Sequence, residues 1–67
     1  MEIVWSDMPD EDDGTYDLCG RHDSHYVDVM HLHGRWEFFY DNVLRLAKPT
    51  RDEAKQAAID WVKEYAR

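Results

Sequence analysis

The sequence has one cysteine, Cys19, so an internal disulfide is excluded. Small extracellular domains usually depend on such cross-links, and the expectation is a reduced, cytoplasmic protein. No apolar run near the start resembles a signal peptide, and none approaches the roughly 20 residues of a membrane span. Met1 and the unbroken pattern after it suggest a complete chain. Basic residues are also scarce: eight Lys and Arg stand against 15 Asp and Glu, for a net charge of −7. Direct nucleic-acid binding relies on cations against phosphate, and anionic membrane surfaces demand the same, so both are disfavoured. With 67 residues there is room for one domain. A chain of this size buries only about 60% of the surface it exposes when unfolded, so its core is small.

Aromatic side chains are plentiful: three Trp, four Tyr and two Phe. Acidity is concentrated at one end. Glu2, Asp7, Asp10, Glu11, Asp12, Asp13, Asp17, Asp23 and Asp28 face a single base, Arg21, in the first 28 residues. The remainder is nearly neutral, with six acids and seven bases.

Apolar alternation predicts strands at about 2–6, 15–20, 25–32 and 35–40. Residues 7–14 contain Pro9, Gly14 and five acids, and predict an acidic loop. A two-residue turn at His33-Gly34 sets His31 opposite Trp36, Val29 opposite Phe38 and Val27 opposite Tyr40. A turn at Asp23-Ser24 sets His22 opposite His25, Leu18 opposite Val29 and Tyr16 opposite His31. Both registers place Tyr16, Leu18, Val27, Val29, Trp36, Phe38 and Tyr40 on one face. Residues 41–48 are open between a further strand and a packed connector.

The clearest element is a helix over about 51–66. Thr50-Arg51-Asp52-Glu53 matches a capping box, and Pro49 before it bars an earlier start. Ala54, Ala57, Ala58, Trp61, Val62 and Tyr65 form one apolar stripe. The predicted fold is α+β: an antiparallel sheet of three to four strands with one C-terminal helix on one face.

Candidate sites follow from this layout. Cys19, His22 and His25 are of zinc-ligand type, but their spacing fits no standard finger. The register also puts Cys19 on the opposite face from the histidines, so scattered strand and turn histidines are the expected reading, with His31 partly buried beside Trp36. The Asp10–Asp13 run lacks the alternating ligands and closing Glu of a calcium loop. No nucleophile motif, phosphate loop or cofactor-binding pattern is present, so an enzyme is not expected. Two surfaces suit a partner. One is the acidic loop of Asp7, Asp10, Glu11, Asp12 and Asp13. The other is the sheet face away from the helix, where Tyr26, Met30, Leu32 and Phe39 lie among polar neighbours. The expectation is a non-enzymatic protein-binding module for a partner with a basic surface. The alternatives are a zinc-binding structural domain and a homodimer or small subunit that buries the open face.

The stretch from Tyr26 to Tyr65 resembles many short proteins of phages and other mobile elements. The shared features are a Gly-x-Trp hairpin, here Gly34-Arg35-Trp36, and a helix carrying Thr50-Arg51-Asp52-Glu53-Ala54, Ala57-Ala58 and Trp61. The resemblance implies an accessory gene product, such as a host-directed inhibitor of anti-CRISPR type acting on a nucleic-acid-handling complex. It carries over no functional residue.

Overall fold

The computed structural model describes residues 2–6 and 17–66. Five strands form one antiparallel sheet in chain order: β1 (Val4–Ser6), β2 (Leu18–His22), β3 (His25–Leu32), β4 (Arg35–Tyr40) and β5 (Val43–Lys48). A single helix, α1 (Arg51–Tyr65), follows. The architecture is therefore α+β, with five strands where the patterning predicts three or four. The first strand is shorter than its prediction, and β2 extends through Arg21 and His22, past its predicted end at 20.

The turns explain the register. His33 and Gly34 have φ of 56° and 74°. Positive φ at both central positions matches the twist of the flanking strands, which is why Gly suits the second place. The hairpin pairs His31 with Trp36, Val29 with Phe38 and Val27 with Tyr40. The β2–β3 turn sits at Asp23-Ser24 and pairs His22 with His25 and Leu18 with Val29. A third two-residue turn, Asp41-Asn42, has φ of 50° and 66° and starts β5. Asp and Asn are the non-glycine residues best tolerated there.

The core lies between one sheet face and the helix. Val27, Val29, Phe38, Ala54 and Ala58 have no exposed surface, and Val62 is almost as buried. Leu18, Trp36 and Tyr40 complete the layer from the sheet, with Ile3 from the chain start. Small side chains at Ala54 and Ala58 let α1 approach the sheet closely, while Ile59 and Trp61 pack at its flanks. At the helix start, Glu53 N–H donates to Thr50 Oγ1 at 3.2 Å. That bond satisfies one of the free donors of the first turn. At the other end Trp61 is half-buried, and Tyr65 is exposed although its ring lies 5.5 Å from that of Trp61. Gly20 is a packing requirement: a Cβ there would lie 2.6 Å from Val4 O, so only glycine lets β1 pair this closely with β2.

Candidate binding face and histidine cluster

One helix covers one face of the sheet, and the opposite face has no described element over it. The pairings run a ladder across that face: Ser6 to Cys19, Cys19 to Asp28, Asp28 to Phe39, and Phe39 to Leu44. A second ladder runs Val4, Arg21, Tyr26. Tyr26 is 56% exposed, Leu44 45% and Leu32 37%, while Met30 and Phe39 are half-buried. The four residues expected on this face are therefore brought together, and Val4 and Leu44 extend the apolar area.

Polar groups are interleaved with it. Arg21 lies over the Tyr26 ring, 5.2 Å from its centroid, and donates to its hydroxyl at 3.3 Å. Arg35 Nε–H donates to Glu37 Oε2 at 2.8 Å, and His33 Nδ1 lies 3.5 Å from the same oxygen. Glu37 is almost fully covered, and its bond to Arg35 holds its carboxyl below the usual range. Asp28 behaves oppositely. Burial pushes its carboxyl up, and the charge of Asp17 pushes it further. Asp17 itself accepts from the His31 N–H at 3.0 Å. A shallow depression of about 350 Å³ opens beside Asp28, lined also by Cys19, Tyr26 and Asn42. The face thus offers apolar contacts and a carboxylate raised above its usual range by burial and by Asp17. Both suit a cationic side chain flanked by apolar ones.

A second cluster forms where the β2–β3 and β4–β5 turns meet the end of α1. His22, 5% exposed, shares a 3.0 Å hydrogen bond from its Nδ1 with the Tyr40 hydroxyl. His25 Nδ1–H donates to Asp41 Oδ2 at 2.5 Å, and Asp41 Oδ1 accepts from the Tyr26 N–H at 2.9 Å. These two bonds hold the Asp41 carboxyl below its ordinary value, the His25 bond being the larger influence. The Tyr40 hydroxyl is pushed up, first by burial and then by the charges of Asp41 and Asp23. Its ring stacks on His25 at 5.1 Å and meets Trp61 at 5.1 Å, and Arg45 lies 5.2 Å from the Trp61 centroid. A cleft of about 370 Å³ lies between these groups. The bonds run between members of the cluster, so its chemistry is that of a network fastening two turns to the helix end.

This cluster was accessible only in part from sequence. The His22–His25 pairing follows from the turn, but the Tyr40 and Asp41 partners are brought in by a neighbouring hairpin. Cys19 is exposed on the opposite face from His22, and among the described residues no three His, Cys, Asp or Glu side chains are placed to hold a metal. His31 is exposed rather than partly buried, with its ring stacked 4.5 Å from that of Trp36. Asp7, Asp10, Glu11, Asp12, Asp13 and Tyr16 lie outside the described residues. No described helix is long and apolar enough to cross a membrane. No family model matches the chain, and neither a curated protein nor a solved structure matches it.

Proposed function

We propose that this chain is a non-catalytic binding module whose open sheet face docks a protein partner through a basic, partly apolar segment. The observation that carries the proposal is the position of Asp28. It sits between Cys19 and Phe39 on the uncovered ladder, where burial and Asp17 both oppose its ionisation. A Lys or Arg from a partner would reverse that penalty, and Tyr26, Met30, Phe39 and Leu44 supply apolar contact around it. The net charge of −7 adds long-range attraction for a basic surface and speeds encounter. The finer form of the proposal is an inhibitor that occupies a basic surface used by a host protein for nucleic acid. The acidic composition and the resemblance to phage accessory proteins support that form.

The test uses isotope-labelled protein titrated with a synthetic extended peptide of alternating Arg and Leu. Amide shifts at Tyr26, Asp28, Met30 and Phe39 are expected, weakened by salt and abolished by Asp28→Lys. Shifts confined to α1, or binding unchanged by Asp28→Lys, would overturn the proposal. Competition between the chain and an oligonucleotide for a captured basic protein tests the inhibitor form.

A further inference from the structure

Asp28 sits inside the open face: Cys19 and Phe39 flank it across the strands, and Tyr26 and Met30 stand two residues away along β3. Glu37 on the same face has Arg35 at 2.8 Å, but among the described residues no donor bonds to the Asp28 carboxylate. Among those residues, too, no fully buried side-chain oxygen lacks a partner, so the unbonded Asp28 oxygens reach the surface. Asp28 lines the depression of about 350 Å³ together with Ser6, Arg21, Tyr26 and Asn42. Small-molecule clefts span about 300–1,000 Å³, so this one is sized for a single side chain.

We propose, resting on the open face as the docking surface, that this depression admits one arginine side chain of the partner and discriminates against lysine. The Asp28 carboxylate, the Ser6 hydroxyl and the Asn42 side-chain amide put three acceptor groups around one small opening. A guanidinium presents five N–H groups in a plane, so it can bond both Asp28 oxygens and a further acceptor at once. An ammonium directs its donors from a single point and holds its water more tightly. Tyr26 supplies a ring at the same place. It already carries the Arg21 guanidinium 5.2 Å from its centroid, with its hydroxyl accepting at 3.3 Å, so the chain itself shows that this ring takes a flat cation. Arg21 is engaged with Tyr26 rather than with Asp28, and it leaves a positive charge in the wall. An incoming guanidinium, whose charge is spread over its plane, is repelled by that wall less than a compact ammonium. Met30 and Phe39, beside Asp28, then receive the apolar neighbours of the arginine in the partner segment.

Two extended peptides of equal length and charge test this, one alternating Arg and Leu and the other Lys and Leu, each titrated into the isotope-labelled chain. The arginine peptide is expected to bind with a Kd lower by at least about tenfold, or about 1.4 kcal/mol. Its largest shifts are expected at Tyr26, Asp28 and the side-chain amide of Asn42. Asp28→Asn keeps the shape of the side chain and removes its charge, and circular dichroism shows that the variant folds. In that variant the preference for arginine is expected to vanish. Equal Kd values for the two peptides, with shifts on the open face, overturn the choice of arginine and leave the docking surface standing. An absence of open-face shifts with either peptide overturns both. A preference that survives Asp28→Asn also overturns the proposal, because the guanidinium is then selected elsewhere.

Discussion

Tyr40→Phe removes a single oxygen and tests whether the histidine cluster is a structural network. Tyr40 and His22 are 7% and 5% exposed, and the bond between them is 3.0 Å long. Without the hydroxyl, His22 Nδ1 loses its partner in a place that water hardly reaches. A buried polar atom left in that state costs about 1–3 kcal/mol. Domains are typically stable by about 0.05–0.15 kcal/mol per residue, so a chain of this length has about 3–10 kcal/mol in total. At about 4–8 °C per kcal/mol for a small domain, the variant should melt roughly 5–20 °C below the wild type. Thermal and urea unfolding followed by far-ultraviolet circular dichroism at neutral pH measures this. His22→Leu alone should also destabilise, because it strands the tyrosine hydroxyl. The double variant Tyr40→Phe/His22→Leu should lose less than the two single losses added, with a coupling of about 0.5–3 kcal/mol. If Tyr40→Phe changes stability by less than about 0.5 kcal/mol, the size expected at an ordinary surface site, the buried-bond reasoning is wrong.

Gly20→Ala forces a Cβ to within 2.6 Å of Val4 O and 3.1 Å of Trp5 Cα, so β1 must move away. A loss of about 1–3 kcal/mol is expected, with hydrogen-exchange protection lost first at Trp5 and Ser6. Asp41 has a folded pKa below its unfolded value of about 3.9. Its contribution is therefore complete above about pH 4 and is lost as the pH falls through the lower folded value. Asp41→Asn keeps the turn geometry and should make stability less steep below about pH 4 in an acid titration. Asp28 has the opposite sign, because its folded pKa is raised. Its ionised form weakens the fold at neutral pH, so Asp28→Asn should raise the melting temperature at pH 7 while weakening binding to a basic peptide.

The central hairpins were legible because two constraints agreed. Period-two alternation in β3 and β4 fixed which residues share a face, and two-residue turns at His33-Gly34 and Asp23-Ser24 fixed the register. β5 was obscured by a local irregularity. Phe38 pairs with Leu46 and Phe39 with Leu44, leaving Arg45 as the extra residue of a bulge. Leu44 and Leu46 are two apart and would share a face in a regular strand. The bulge sends Leu46 towards the helix and Leu44 to the open face. The turn before it did leave a signal, since Asp41-Asn42 is a pair suited to positive φ. The candidate face was legible as a list, through Tyr26, Met30, Leu32 and Phe39. Its Leu44 border was not, because it depends on that bulge. The histidine cluster was hidden for another reason: its bonds join residues 16 and 18 apart, and only the sheet brings them together.

The two faces of the sheet differ in what they do for the fold. On the helix face Leu18, Val27, Val29, Trp36, Phe38 and Tyr40 are closed from water, and the buried polar groups His22 and Tyr40 are each other's partners. The open face leaves Tyr26, Leu32 and Leu44 in water and holds the Asp28 carboxyl above its usual range. Threonine or lysine at the apolar positions would preserve the strands and remove the exposed patch, and asparagine at 28 would relieve the charge. A 67-residue domain has little stability in reserve. Features that lower stability or solubility and contribute nothing to folding are those expected where a partner binds. The same comparison separates the two clusters of unusual chemistry. The groups at His22 and Asp41 stabilise one another within the chain, whereas burial and Asp17 leave the Asp28 carboxyl above its usual range.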